Sequence, residues 1–307
     1  MAALAAAVAL PASAQAGTFA YADFSDTTGL QVNGSAAATD VAGRDVMRLT
    51  PPEGNKGGSV FNTQAIALTN DYGFSTRFTF NIGSNSDTPW GPIGADGIAF
   101  VIQTVSNNVG GVGGAMGYGG ITPSVEVEFD TYSNGTDPGF NPDLTADNHI
   151  AIMQNGDSTN HLAYTNVFPT LNLSGGQDIT AFVDYNGDTN LMEVRWSTDG
   201  SRPGSAGLSY NIDLAGLFGT NPVFVGFTGA TGANWSAQDV VNWTFNDNYE
   251  PITTAPTETV PAGTPQTGAV PEPATWAMMI GGLGLMGAVL RRRRHTRAIT
   301  AIARGAA

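Results

Sequence analysis

Apolar and polar residues alternate with a period of two along much of the chain between Thr18 and Glu250, and no segment there carries a convincing helical pattern. The alternation is clear in residues 74–82 and recurs in residues 241–246. A period of two places every second side chain on the same face of a β-strand, so both segments are predicted to be half-buried strands. The predicted inward face of the first carries Phe74, Phe78, Phe80 and Ile82, and its outward face carries Ser75, Arg77, Thr79 and Asn81.

Other segments predict how these strands are arranged. Residues 183–185 and 191–196 flank the Gly-containing loop 186–190, which predicts a hairpin. Residues 97–103 and 223–228 are more continuously apolar and predict inner strands. Many short strands separated by Gly- and Asn-containing turns are typical of a jelly-roll β-sandwich, whose core lies between two sheets. We therefore predict an all-β fold of this type.

Composition excludes several other classes of protein. The 40 glycines, 17 prolines and 12% charged residues argue against a coiled coil or helical bundle. The absence of cysteine excludes disulfides, thiolate metal sites and a catalytic cysteine. The net charge is −14, and all 26 acidic residues precede Ala274, whereas six of the 12 basic residues follow Leu290. Because nucleic acids require a positive surface, we expect no nucleic-acid partner for so acidic a body.

The two ends carry the features of processing segments. Residues 1–16 are apolar and end in small residues, which is typical of a secretory signal peptide, although no Lys or Arg precedes them. Residues 274–290 are uncharged, at the lower limit of a membrane span, and four arginines follow at 291–294. With the preceding Pro-Glu-Pro triplet at 271–273, this order resembles the PEP-CTERM sorting signal of Gram-negative envelope proteins.

That resemblance implies transient insertion into the inner membrane, cleavage by an exosortase-type enzyme, and delivery to the outer surface or extracellular matrix. The segment before the signal is rich in Pro, Thr and Gly, so we expect a linker there. The predicted organisation is a signal peptide remnant (1–16), a β-sandwich domain (17–250), a linker (251–269), the sorting signal (270–295) and a tail (296–307).

Three carboxylates alternate along one predicted strand, at Glu126, Glu128 and Asp130, and Tyr132 follows on the same face. Carboxylates that share one face repel one another unless a cation lies between them, and no basic residue is near in sequence. A divalent metal would compensate this charge. Calcium takes six to eight oxygen ligands, and a nearby imidazole such as that of His149 suits a transition ion such as manganese. The alternative is an ordinary acidic strand exposed to solvent.

The order of several segments between Phe19 and Asn248 resembles that of the legume-type (L-type) lectins. The matching segments are residues 74–80, 94–101, 110–120, 127–134, 148–150 and 225–232. Each is common in β-proteins, but their order and spacing together are specific. The resemblance implies a concanavalin-like jelly roll that binds carbohydrate with the help of calcium and manganese, or another transition ion at the histidine.

The resemblance also implies which residues hold the ions. Glu128, Asp130, His149 and one loop aspartate would hold the manganese-type ion. Calcium would be held by Asp130, the carbonyl of Tyr132, Asn134 and the same aspartate. The family places that aspartate where this chain has Leu144, so the choice is open between Asp143, which we favour, Asp147 and the earlier Asp137.

For the sugar, the resemblance implies fixed polar groups beside an aromatic platform. Asp96 would follow a cis peptide from Ala95, a backbone amide of the 110–120 loop would donate, and Tyr132 or Phe140 would stack on the sugar. Trp235, in the last loop (229–238), would contact the ligand or pack on the sheet edge. The predicted carbohydrate-binding residues are Asp96, Gly117, Tyr132, Asn134 and Gly232.

We therefore predict a non-catalytic, surface-displayed lectin that binds glycans or exopolysaccharide in adhesion and forms a homodimer. Two alternatives stay open. Glu126, Glu128 and Asp130 are similar in arrangement to the acidic signature of retaining β-glucanases, whose paired carboxyls lie about 5 to 5.5 Å apart. That likeness makes a glycoside hydrolase the first alternative, and a structural matrix protein with a degenerate sugar site is the second. The isolated His161 is interpreted as a structural residue.

Overall fold

The protein is described by a computed structural model that covers residues 17–68, 72–88, 91–132 and 148–263, with the backbone alone for residues 88 and 91–93. Strands dominate these residues. In chain order they are β1 (Phe19–Tyr21), β2 (Leu30–Gly34), β3 (Ala37–Asp40), β4 (Asp45–Thr50), β5 (Gly57–Asn62), β6 (Phe74–Gly83), β7 (Ser86–Thr88), β8 (Gly91–Ile93), β9 (Gly97–Gln103), β10 (Ser124–Asp130), β11 (His149–Gln154), β12 (Ala163–Asn166), β13 (Asp178–Asn186), β14 (Leu191–Ser197), β15 (Leu208–Asn211), β16 (Phe224–Ala230) and β17 (Ala237–Asn246).

Two large antiparallel sheets form the sandwich. The eight-stranded sheet has the order β15-β14-β13-β6-β17-β4-β3, and β1 also pairs with β17. The seven-stranded sheet has the order β12-β11-β10-β9-β16-β5-β2. The predicted hairpin is β13–β14, and the two predicted inner strands are the paired neighbours β9 and β16. The all-β jelly-roll prediction is confirmed.

An aromatic core fills the space between the two sheets. Phe227 of the seven-stranded sheet lies with its ring centroid 4.8 Å from that of Phe78 and 4.9 Å from that of Trp243, both of the eight-stranded sheet. Phe129 of β10 packs 4.8 Å from Phe80 in the same way. Such edge-on and tilted contacts between large buried rings hold the two sheets together and fix β10, in the seven-stranded sheet, against the eight-stranded sheet.

Two details of the predicted strands differ from the structure. On the predicted outward face of β6, Ser75, Arg77 and Thr79 are buried and only Asn81 is half-buried. The strand is central in its sheet, and neighbouring polar side chains cover that face: Arg77 Nη1 donates to Asn242 Oδ1 at 2.9 Å. In β17, the register shifts between Val240 and Asn242, so Val240 rather than Val241 joins the core. A one-residue bulge exchanges the faces of a strand, and period-two reading cannot detect it.

The structure also contains a short helix, α1 (Leu214–Phe218), which the sequence did not predict. The Asp213 carboxylate accepts a hydrogen bond from Gly216 N at 2.7 Å and caps its first turn. Leu214 and Phe218 lie four residues apart and are both buried. One turn offers a single apolar repeat, which is too short for helical periodicity to show.

Part of the predicted linker lies within the described residues and contacts β1. Ala20 and Val260 exchange backbone hydrogen bonds, and Ala262 N donates to the Tyr21 hydroxyl at 2.8 Å. The predicted signal peptide, the sorting signal and the tail lie outside the described residues. Within the described ranges, no helix has the length and apolar character needed to cross a membrane.

Candidate metal and carbohydrate site

The outer face of the seven-stranded sheet is covered by a loop at the position of β10. Glu126, Glu128 and Asp130 are 0%, 1% and 5% exposed, which excludes the interpretation of an acidic strand open to solvent. A second apolar cluster on this face includes Met116, Tyr118 and Ile121 of the long loop between β9 and β10, and this loop closes over the strands. The carboxylates therefore lie between a sheet and its covering loop.

Small neighbours leave room for the Glu128 side chain. Its partners in register are Ala99 on β9 and Ala151 on β11. Above it, the Tyr118 hydroxyl donates to Oε2 at 2.5 Å. That hydrogen bond fixes the carboxylate and turns its other oxygen, Oε1, toward two histidines.

Both histidines contact the same oxygen of Glu128. His149 Nε2 lies 3.1 Å from Oε1, and His161 Nε2 lies 3.2 Å from it. The two imidazole rings are 5.2 Å apart and edge-on, and the side chains are 8% and 5% exposed. Burial opposes ionisation of Glu128, but hydrogen bonds with His149 and His161 outweigh it and lower its pKa to about 2.

Asp130 ends β10 directly beside this cluster. It is opposite His149 on β11 and Gly97 on β9. Its Oδ1 accepts a hydrogen bond from Tyr132 N at 2.7 Å, so the carboxylate and the start of the following loop are joined. Burial raises the pKa of Asp130 to about 8, because its effect is larger than the opposing effect of the His149 charge.

Asp96 lies at the same end of the sheet. The Ala95–Asp96 peptide is cis, as the family resemblance implied. Asp96 N donates to Ala230 O at 2.9 Å, and Asp96 O accepts from Thr131 N at 3.0 Å, so the residue is held between the ends of β16 and β10. Its carboxylate is buried, its Oδ2 has no hydrogen-bond partner, and burial raises its pKa to about 7.

The predicted glycines lie around this end of the sheet. A Cβ added to Gly232 would lie 3.5 Å from Asp96 Oδ2, so Gly232 is directly beside the carboxylate. Gly117 packs against β16, where an added Cβ would lie 3.1 Å from the Cβ of Thr228. Its φ of +85° favours glycine. Trp235 lies against Gly54, with its Cε3 3.7 Å from the position of an added Cβ.

The structure thus brings together Asp96, Glu128, Asp130 and His149, with Tyr132 and Gly232 next to them. The predicted ligands Asn134, Asp143 and Asp147, and the alternatives Asp137 and Phe140, lie outside the described residues. Two contributors were missed. His161 was interpreted as structural, but it contacts Glu128, and Tyr118 was not singled out.

The donor set fits metal ions. None of the lysines and arginines that the structure describes forms an ion pair with Asp96, Glu126, Glu128 or Asp130. The ligand atoms of Glu128, His149 and His161 all lie within 4.8 Å of one another. Buried carboxylates are stable in such numbers only when they are paired, protonated or bound to a cation. Mixed imidazole and carboxylate donors suit a transition ion, and a purely oxygen set around Asp130 suits calcium.

Comparison with known proteins identifies the fold family. A family model described as the legume lectin domain matches residues 16–261. The chain belongs to this family. The PEP-CTERM protein-sorting motif matches residues 269–294, as the resemblance at the C-terminal end predicted.

Similar proteins include plant receptor kinases and plant lectins. The probable L-type lectin-domain containing receptor kinase S.7 of Arabidopsis thaliana is 30% identical over 184 residues, which is 56% of this chain and 26% of that protein. Lectin 11 of Medicago truncatula is 30% identical over 190 residues, which is 57% of this chain and 60% of that protein. The chain thus spans less than two thirds of the length of these curated relatives.

Among solved structures, the lectin from Bauhinia forficata in complex with GalNAc superimposes with a TM-score of 0.59 at 25% identity, covering 75% of this chain and 96% of that one. The likeness therefore includes nearly the whole of the neighbour's domain. In this legume lectin domain, the cluster around Glu128 and the Asp96 carboxylate lie at the same end of the seven-stranded sheet.

Proposed function

We propose that this chain is an exported, non-catalytic lectin whose sugar site is organised by bound metal ions. The observation that carries the proposal is the position of Asp96. A buried carboxylate with an unpaired oxygen lies beside Gly232, between the ends of two strands, and its charge contributes to the raised pKa of Asp130. A carboxylate held in this way is a fixed acceptor for hydroxyl groups.

Carbohydrate suits such a site because sugars present hydroxyls in fixed directions. Fixed acceptors and donors recognise the stereochemistry of those hydroxyls, and a preorganised site loses less entropy on binding. In the proposed site, Asp96 and Asn134 accept and donate hydrogen bonds, backbone amides at Gly117 and Gly232 donate, and Tyr132 provides an apolar surface.

Two ions are proposed to hold the loops that carry these groups. Glu128, Asp130 and His149, with Asp143 or Asp147, would hold a transition ion. Asp130, the Tyr132 carbonyl, Asn134 and the same aspartate would hold calcium. The ions supply positive charge to buried carboxylates and fix the loop after β10. Asp130 belongs to both sets, which fits its position at the strand end.

The burial of the acidic strand disfavours a glycoside hydrolase. Glu126 and Glu128 are 0% and 1% exposed, and Glu128 is hydrogen-bonded to Tyr118 beneath the covering loop. A hydrolase must bring two carboxyl groups to the scissile bond on either side of the sugar. These two groups instead face the apolar cluster around Tyr118. No family of enzymes is indicated by the legume lectin match.

The sorting motif supports export, and we propose that it directs processing by an exosortase-type enzyme after transient insertion into the inner membrane of a Gram-negative bacterium. The proposed organisation keeps the signal peptide at 1–16, the lectin domain at 17–250, the linker at 251–269 and the sorting signal at 270–295. At the outer surface, a lectin domain would bind exopolysaccharide or other glycans. We also propose that it acts as a homodimer.

The test is binding of the purified protein to a broad glycan array in calcium and manganese, with an Asp96→Asn variant beside the wild type. Asp188→Asn, at the exposed tip of the β13–β14 hairpin, makes the same chemical change far along the chain from the site. The proposal expects array signals that Asp96→Asn abolishes and Asp188→Asn retains. Absence of wild-type binding would favour a structural matrix protein, and equal binding by Asp96→Asn would place the sugar site elsewhere.

A further inference from the structure

A structural role does not explain the contacts that His161 makes in the site. Its side chain is 5% exposed, and its Nε2 is 3.2 Å from Glu128 Oε1. Its Nδ1 is buried and has no hydrogen-bond partner. The ring therefore directs one nitrogen at Glu128, and among the described residues no other side chain receives a hydrogen bond from it.

That carboxylate already has two partners. His149 Nε2 faces Oε1 at 3.1 Å, and Tyr118 donates to Oε2. A second imidazole on Oε1 is not needed to satisfy Glu128. A second imidazole at this oxygen is what a metal site requires, because the ligands of one ion converge on a single point from different segments of the chain. Here His149 begins β11, and His161 lies in the connection between β11 and β12.

The distances agree with ligands of one ion. A zinc ion about 2.0 to 2.1 Å from each of two ligands in tetrahedral geometry separates those ligands by roughly 3.3 Å. The two histidine nitrogens lie 3.1 and 3.2 Å from Oε1. Tyr118 occupies the other oxygen, and an outer hydrogen bond of that kind orients a ligating carboxylate.

We propose that His161 joins Glu128 and His149 as a ligand of the transition ion, and that this second imidazole makes the site take a zinc-class ion (Zn²⁺, Co²⁺ or Ni²⁺) in preference to manganese. The inference rests on the proposed metal-binding function of this cluster and names the ion. Imidazole donors favour zinc, nickel and copper, whereas manganese favours oxygen donors. Replacing an oxygen ligand or water by the His161 nitrogen therefore shifts the site toward zinc.

The test compares the metal affinities of the purified wild-type protein and a His161→Gln variant by calorimetric titration with Zn²⁺ and with Mn²⁺. Loss of an outer-shell partner alone costs 10- to 100-fold in affinity. Loss of a direct nitrogen ligand is expected to lower Zn²⁺ affinity at least about 100-fold and Mn²⁺ affinity less than about 10-fold. Tyr164→Phe is the matched control, because the Tyr164 ring lies 5.6 Å from the His161 ring.

Proton NMR of the Co²⁺-loaded protein gives a second measurement, and its wild-type result does not depend on how the variant folds. Each coordinating imidazole contributes one exchangeable N–H signal shifted far outside the normal range. We expect two such signals in the wild type and in Tyr164→Phe, and one in His161→Gln.

Three results would overturn the inference. One is a single shifted signal in the wild type, with a Zn²⁺-to-Mn²⁺ preference unchanged by His161→Gln. Another is tighter metal binding by the variant, because His161 would then occupy the place of an ion as a charged imidazolium. The third is absence of any metal binding, which would also overturn the proposed metal dependence. Failure to bind glycans, with two histidines coordinating, would affect the proposed function alone.

Discussion

Replacing Glu128 by Gln is expected to remove most of the stabilisation that a transition ion gives to the protein. The substitution keeps the size of the side chain and its contact with Tyr118, which donates to Oε2. It removes the negative charge from Oε1, the oxygen that faces His149 and His161 at 3.1 and 3.2 Å. The metal-free variant should be less stable than the metal-free wild type, because it lacks the charge that His149 and His161 stabilise. The effect of an ion is therefore measured from each protein's own metal-free melting temperature.

The size of the effect follows from linkage between binding and folding. An ion present at 100 times its dissociation constant adds about 2.7 kcal/mol to the free energy of unfolding. In a domain of 150 to 250 residues, each kcal/mol shifts the melting temperature by about 2 to 4 °C, so manganese should raise the wild-type value by about 5 to 11 °C. In Glu128→Gln, the shift should fall below about 2 °C.

The assay is thermal unfolding by circular dichroism after EDTA treatment, with manganese or calcium added back. The proposed calcium set omits Glu128, so the calcium shift should survive in the variant. Glu258→Gln makes the same change at an exposed position and should keep both shifts. If Glu128→Gln gains as much stability from manganese as the wild type does, the ion is not bound at this carboxylate.

Three further predictions concern stability and the surroundings of the ion. In EDTA, the free energy of unfolding should fall as the pH rises from about 5 to 8. Burial raises the folded-state pKa values of Asp130 and Glu126 to about 8, so in this range the folded state holds protons that the unfolded state has already released. Asp130→Asn should flatten this profile, and a flat wild-type profile would contradict the prediction. Phe227→Ala should lower the free energy of unfolding, measured with urea, by about 3 to 5 kcal/mol, since the Phe227 ring packs against both sheets. A loss below about 1 kcal/mol would mean that the core is packed differently. Tyr118→Phe should weaken manganese binding by about 10- to 100-fold in calorimetric titration, because the hydroxyl orients Glu128; unchanged affinity would show that this hydrogen bond does not orient the ligand.

The sequence predicted the sandwich because period-two alternation reports directly on strands. Residues 74–82 and 97–103 became β6 and β9. The alternation of Glu126, Glu128 and Asp130 also placed all three on one face, as the register of β10 confirms. What periodicity could not show was whether that face is covered. The covering loop is rich in glycine and has no strand or helix pattern, so its burial of β10 depends on tertiary contacts.

The contribution of His161 was missed for a related reason. It is separated from His149 by a strand and a connection, and no spacing rule joins the two. The signal was present in the topology, because β12 returns antiparallel to β11 and brings the connecting segment back over the sheet. A histidine in a connection between two paired strands next to a carboxylate strand is a candidate ligand, whatever residues follow it.

Metal-dependent glycan binding would show whether bound ions organise the sugar site. The purified protein would be applied to a broad glycan array in calcium and manganese, again after EDTA, and once more after the ions are restored. We expect signals that EDTA abolishes and restored ions recover. Binding that survives EDTA would contradict the claim that bound ions organise the site.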